Sequence, residues 1–197
     1  MGESEAIVAV LAGGRARRMG GAKASLMLGG RPLISYPLAA AADAGLPAIV
    51  LAKRSTPLPE LAVPVIHEPD APVHPLCGVL AALEHAAGLA PARAVVIVAC
   101  DMPFLTGELL AWLARLDGPA MAALDGLPQP MLARLEAAHQ PALRAALASQ
   151  AALGAALSSL SPRLLGRRQL RAFGEPARLL FNVNRPQDLL RAERLAG

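Results

Sequence analysis

Apolar positions along the chain fall into short unbroken runs, separated by longer alanine- and leucine-rich stretches. Ala6 to Ala12 (AIVAVLA) is apolar throughout, rich in Val and Ile, and stops at Gly13-Gly14. A run of that length and composition predicts a parallel strand buried on both faces. Ala48 to Ala52 (AIVLA) predicts a second strand. Val63 to Ile66 (VPVI) predicts a short third, which Pro64 assigns to an edge or an irregular piece. Ala94 to Ala99 (AVVIVA) is the clearest strand signal, and it runs straight into Cys100-Asp101. Ala120 to Leu124 and Met131 to Leu135 read as further extended segments, interrupted between them by Pro128 and Pro130.

Helices are predicted at Leu33 to Ala44, ended by Gly45, and at Cys77 to Ala87 and Glu108 to Leu116. Pro141 to Leu157 reads as one Ala-rich helix, and Pro186 to Leu195 as the last. Strands alternating with helices imply an α/β fold, a Rossmann-like three-layer α/β/α sandwich with a mostly parallel central sheet. No repeat and no linker composition divides the 197 residues, so one domain over residues 1–197 is expected.

Composition narrows the function classes. Hydrophobic residues make up 54% of the chain and aromatic residues only 3%, which favours helices packed by small side chains over an aromatic-rich β-sandwich. The near absence of stacking residues also argues against a nucleic-acid partner. Lys and Arg number 19 against 15 Asp and Glu, a mild basic excess that suits polyanionic substrates. Met1 to Glu5 carries two acids, and the apolar run after it is too short to span a bilayer. Neither a signal peptide nor a membrane segment is therefore expected. Cys77 and Cys100 make no disulfide framework, and a reduced cytoplasmic setting is the expectation.

In an open parallel sheet, ligands collect at the carboxyl ends of the strands. The first run ends in Leu11-Ala12-Gly13-Gly14-Arg15-Ala16-Arg17-Arg18-Met19-Gly20-Gly21-Ala22-Lys23. Its glycines let a backbone approach phosphate oxygens, and its four cations suit a triphosphate. A glycine-rich turn with solvated arginines is the alternative. The glycine spacing makes neither the dinucleotide fingerprint G-x-G-x-x-G nor the P-loop G-x-x-x-x-G-K-[ST]. A second strand ends in Cys100-Asp101-Met102-Pro103-Phe104. A carboxylate there is placed to hold Mg²⁺, which takes one or two carboxylates plus substrate phosphates; a turn or cap aspartate is the alternative.

These blocks resemble the molybdenum-cofactor guanylyltransferases. Leu11-Ala12-Gly13-Gly14 with Arg18-Met19-Gly20 and Lys23 is similar to that family's LAGGxxxRMGxDK signature. Pro75-Leu76-Cys77-Gly78 is similar to GPLAG, Cys100 to Phe104 to CDMPF, Gln129-Pro130-Met131 to QPL, and Phe181 to Leu189 to FxNVNTPEDL. The blocks keep the family's order and span nearly the whole chain.

The resemblance implies the nucleotide-diphospho-sugar transferase type of fold and a Mg²⁺-dependent transfer of GMP from GTP to molybdenum-bound molybdopterin. It implies Arg18, Lys23 and Asp101 as catalytic groups, with Asp101 also the metal ligand. Nucleotide contacts would come from Leu11, Ala12, Gly13, Gly14, Lys23, Glu68 and Asp101, and second-substrate contacts from Asn182 and Asn184. Molybdenum-cofactor-handling proteins are the further partners implied. A cytidylyltransferase using CTP is the nearest alternative, although its relatives carry LAAG where this chain has LAGG. A catalytically weak cofactor chaperone of the same fold is the other.

The chain departs from the family pattern at several places. Ala22 replaces the Asp before the lysine, and Ala52-Lys53-Arg54 stand where the family often has Asn. Glu68 or Asp70 replaces the aspartate after strand three, with Glu68 favoured by its distance from Val65-Ile66. His74 replaces the Gly of GPLAG, and Arg185 the Thr of NVNTP. Outside the motifs, His67 and His74 read as solvated loop histidines, Cys77 and Cys100 as inert buried thiols, and the arginines at 163, 167, 168, 171 and 178 as a solvated basic surface.

Overall fold

The computed structural model describes residues 6–13 and 23–196. Its strands are β1 (Ala6–Leu11), β2 (Met27–Leu28), β3 (Arg31–Pro32), β4 (Ala48–Ala52), β5 (Val65–His67), β6 (Ala94–Ala99), β7 (Ala120–Leu124), β8 (Leu127–Leu135) and β9 (Arg163–Leu165). Its helices are α1 (Ser35–Asp43), α2 (Pro75–Ala87), α3 (Gly107–Ala114), α4 (Gln140–Ala148), α5 (Leu153–Ser158), α6 (Arg167–Leu170), α7 (Pro176–Leu179) and α8 (Pro186–Ala196). The main sheet runs β5-β4-β1-β6-β8-β7-β9, with β8 alone antiparallel to its neighbours. The expected α/β sandwich with a mostly parallel sheet is what forms.

Alternation along β1 explains its unbroken apolar run. Ala6, Val8 and Val10 enter the core on one face of the sheet, which α1 and α3 also line. Ile7, Ala9 and Leu11 enter the core on the other, with α2, α4 and α5. Every residue of β1 and of β6 is buried, so no polar residue could be tolerated in either strand. A smaller apolar cluster joins the β2–β3 hairpin to α8 through Leu28, Leu33, Val183 and Ala192.

Strand order positions the site. From β1 the chain moves outward to β4 and β5, then returns through α2 to β6 on the opposite side of β1. The carboxyl ends of β1 and β6 therefore flank a topological switch point, where an open α/β sheet forms its ligand crevice.

Several boundaries differ from the sequence reading. The expected helix from Pro141 to Leu157 is two helices. Gln150 adopts a left-handed conformation (φ 57°), and Ala151 N–H donates to Ala146 C=O, closing α4 with a Schellman-type turn. The prolines at 128 and 130 do not interrupt an extended segment; they lie within β8. Within β8 only Leu132 to Leu135 pair with β6, so the proline-containing half of β8 faces no ladder on that side. Asp125 and Gly126, both at positive φ, form the tight turn between β7 and β8. The third strand spans Val65–His67 rather than 63–66, with Pro64 left outside it as an acceptor for Val50 N–H. α2 starts at Pro75 because His74 Nδ1 caps it, accepting from Leu76 N–H at 3.2 Å. His74 is thus a cap, not a solvated loop histidine. Among the described residues, no helix is long and apolar enough to cross a membrane.

Candidate active site

Two hydrogen bonds tie the ends of the central strands together before any side chain is considered. Cys100 N–H donates to Leu11 C=O (3.1 Å), and Ala12 N–H donates to Leu51 C=O (2.9 Å). These main-chain groups of Leu11 and Ala12 are therefore committed to the sheet. The first groups beyond it on this strand, Ala12 C=O and Gly13 N–H, have no partner among the described residues.

Asp101 lies two residues past β6, and its C=O accepts from Val183 N–H at 3.0 Å. That bond lays the NVN segment alongside the strand end. The segment is fixed in turn by Asp188 in the first turn of α8, whose Oδ2 accepts from the N–H groups of Asn184 (2.9 Å) and Arg185 (2.8 Å).

Three side chains from distant parts of the chain meet here. Lys23 Nζ donates to Asp101 Oδ2 at 2.7 Å and to Asn184 Oδ1 at 2.5 Å. An ammonium has three donors, so among the described residues one remains after these two bonds. The Asp101 carboxylate is buried, and its second oxygen, Oδ1, is also buried yet has no hydrogen-bond partner among the described residues. A buried carboxylate oxygen left unpaired is costly, and an oxygen-seeking cation is the group that would satisfy it. Among the described residues no three His, Cys, Asp or Glu side chains cluster as a metal cage. A hard cation here would complete its shell from substrate oxygens and water, as Mg²⁺ does.

Glu68 forms a second centre. It leaves β5 with its N–H on Ala52 C=O (3.0 Å), and its side chain is buried. The carboxylate lies against two glycine backbones. A Cβ on Gly13 would overlap Glu68 Oε1, and one on Gly78 would stand 2.9 Å from Oε2. Burial pushes the Glu68 carboxyl above the usual glutamate range; the Lys53 ammonium opposes that shift and the Asp70 charge adds to it. A groove of about 530 Å³ opens beside it, walled by Ile66, His67, Asp70 and His85 among others. Room on that scale is enough for a small ligand.

Of the residues singled out from sequence, Lys23, Asp101 and Asn184 are brought into direct contact, and Gly13 and Glu68 into another. Asn182 does not join the first group: its Nδ2 donates to Leu180 C=O at 3.0 Å. Gly14 and Arg18 lie outside the described residues, as does Ala22. Lys53, given no role from sequence, donates to the carbonyls of Pro69 and Asp70, both at 2.6 Å.

Cys77 and Cys100 are free and buried. Burial, followed by the Asp101 charge, pushes the Cys100 thiol up to about 12, and burial with the Glu68 charge raises Cys77. Both are inert at neutral pH. In the basic stretch, Arg167 pairs with Asp125 and Glu175, and Arg178 covers the Phe104 ring at 4.9 Å. That surface is in part paired and stacked rather than simply solvated.

Residues 8–172 match the MobA-like NTP transferase domain. A molybdenum cofactor guanylyltransferase of Cereibacter sphaeroides is 36% identical over 195 residues, covering 94% of each chain. Among solved structures, molybdopterin-guanine dinucleotide biosynthesis protein A from Archaeoglobus fulgidus has a TM-score of 0.78 and 27% identity, over 96% of this chain and 97% of that one. The 2-C-methyl-D-erythritol 4-phosphate cytidylyltransferase from Thermus thermophilus shares the fold, with a TM-score of 0.68 at 22% identity over 96% of this chain and 98% of that one.

Proposed function

This chain belongs to the MobA-like NTP transferase family, and on that footing we propose that it transfers GMP from GTP to the phosphate of molybdenum-bound molybdopterin, releasing pyrophosphate. The observation that carries the reading is the Lys23–Asp101–Asn184 contact, with Asp101 Oδ1 buried beside it and unpaired among the described residues.

An oxygen of the acceptor's phosphate forms the new bond to the α-phosphorus of GTP. The bond from that phosphorus to the β-bridging oxygen breaks, and pyrophosphate leaves with its electron pair. The attacking phosphate is already anionic, so no side chain need remove a proton. Acceleration rests on positioning and charge compensation. Lys23 brings its remaining N–H to the triphosphate. Asp101 would hold Mg²⁺ through Oδ1, and the bound ion supplies charge neutralisation across the phosphates. Asn184, fixed by Lys23 and by the capped start of α8, orients the acceptor side.

Glu68 supports guanine as the base. Guanine presents two adjacent donors, N1–H and the 2-amino group, which two carboxylate oxygens can accept together. Cytosine presents acceptors at the corresponding edge and would be repelled. Gly13 admits that carboxylate, because a side chain there would overlap Glu68 Oε1.

Thermal-shift comparison of GTP, CTP, ATP and UTP, each with and without Mg²⁺, tests the reading. A selective ligand at about 100 times its Kd stabilises the fold by roughly 2.7 kcal/mol. A Mg²⁺-dependent shift specific to GTP is expected. An equal shift with CTP, or none with any nucleotide, would refute guanylyl transfer.

A further inference from the structure

Lys53 stands one residue past β4 and Glu68 one residue past β5, on neighbouring parallel strands in which Ala52 pairs with His67. The two residues thus leave the sheet side by side. The Lys53 ammonium crosses to the neighbouring loop and donates to both carbonyls after Glu68, those of Pro69 and Asp70. Pro69 has no N–H with which to anchor that turn itself. Glu68 has no hydrogen-bond donor to its carboxylate among the described residues, and it is flanked by glycine backbones at 13 and 78. The main-chain bond from Glu68 N–H to Ala52 C=O and the two bonds from Lys53 are what fix its approach.

Resting on the guanine reading above, we infer that Lys53 is a positioning residue for base selection: its ammonium clamps the turn after Glu68 and holds the carboxylate in the slot between Gly13 and Gly78. Lys53 acts through Glu68 and need not touch the nucleotide. Its charge has a second effect in the same direction, since it favours the ionised carboxylate against the cost of burial. An ionised Glu68 accepts two hydrogen bonds from a base, whereas a protonated one would present a donor to a donor.

The discriminating ligand is ITP, which keeps N1–H and lacks the 2-amino group. Affinities for GTP and ITP, each with Mg²⁺, would be measured by calorimetry on the full chain and on Lys53→Met, Lys53→Gln, Lys53→Arg and Glu68→Gln. The wild type is expected to prefer GTP by roughly tenfold, the scale of one hydrogen bond to a charged group. Both Lys53→Met and Lys53→Gln should bring the ratio to within about threefold of unity, and Lys53→Arg should restore most of it, because a guanidinium can donate to the same two carbonyls. A role confined to loop stability would weaken both ligands equally and leave the ratio intact, which overturns the inference. A ratio lost in Glu68→Gln but kept in Lys53→Met and Lys53→Gln overturns the role of Lys53 alone. A ratio unaffected by Glu68→Gln overturns the guanine reading itself, and the positioning role with it.

Discussion

Lys23 Nζ lies 2.7 Å from Asp101 Oδ2, joining the end of the glycine-rich segment to the carboxylate at the end of β6. The pair leaves one oxygen of Asp101 buried without a partner among the described residues. A structural ion pair would be expected to satisfy both oxygens of a buried carboxylate, whereas a cation site keeps one available.

Replacing Asp101 by Asn keeps an acceptor for Lys23 and removes the negative charge. Pyrophosphate release is expected to fall by roughly 10²- to 10³-fold, the cost of losing one preorganised electrostatic group. The fold should persist, and the Mg²⁺-dependent part of the GTP thermal shift should disappear. A variant that retains turnover and Mg²⁺ dependence would remove Asp101 from the metal site.

Gly13→Ala tests the slot around Glu68. The added Cβ overlaps Glu68 Oε1, which is the far end of a flexible side chain and can swing aside. Stability should therefore change by less than about 1 kcal/mol. Affinity for GTP should drop by roughly tenfold, as the displaced carboxylate no longer meets the base. Calorimetry and thermal melts on the same sample separate the two effects; a destabilised variant with normal GTP affinity contradicts the expectation.

The Glu68 carboxyl also makes a signed prediction about pH. Its folded pKa is raised above the ordinary value of 4.5 by burial, with Lys53 opposing and Asp70 adding. Between the ordinary and the raised value the folded state keeps a proton that the unfolded state has lost, so stability declines as pH rises. Above the raised value the ionised, buried carboxylate remains a net cost. Glu68→Gln is expected to raise Tm at pH 7 and to flatten the decline that starts near the ordinary value. An unchanged slope in melts between pH 4 and pH 8 would contradict it.

Arg134 offers a control away from the site. It is buried in β8, where Nη1 donates to Gly118 C=O (2.7 Å) and to Glu136 Oε1 (2.6 Å). Arg134→Met keeps the packing of the stem and removes both bonds. Stability should fall by roughly 1–3 kcal/mol in denaturant melts, since Glu136 is partly solvated and loses less than a fully buried partner would. Turnover per folded molecule should be unchanged.

Much of the fold was legible because β1, β4 and β6 are buried strands whose apolar runs allow few other readings. The split at Gln150 was hidden because the left-handed position that ends α4 carries no glycine. Asp125-Gly126 was a turn signal of the right type, obscured by prolines that read as a break until the pairing of β8 is known. At the site, Lys23 and Asp101 each stood out by position after a buried strand or within a glycine-rich loop. Their contact with Asn184 depends on the backbone bond between Val183 and Asp101, a long-range pairing that no local pattern encodes. Lys53 was visible only as a departure from a family pattern; its role depends on which strand lies beside β4.

The most direct measurement is pyrophosphate release by the wild-type chain supplied with Mg²⁺, GTP and molybdenum-bound molybdopterin, with CTP in place of GTP as the comparison. Stoichiometric pyrophosphate and a product carrying GMP on the acceptor's phosphate are expected with GTP, with at least roughly tenfold less from CTP. Binding of GTP and acceptor without pyrophosphate release, or equal release from CTP, would contradict guanylyl transfer at the Lys23–Asp101 site.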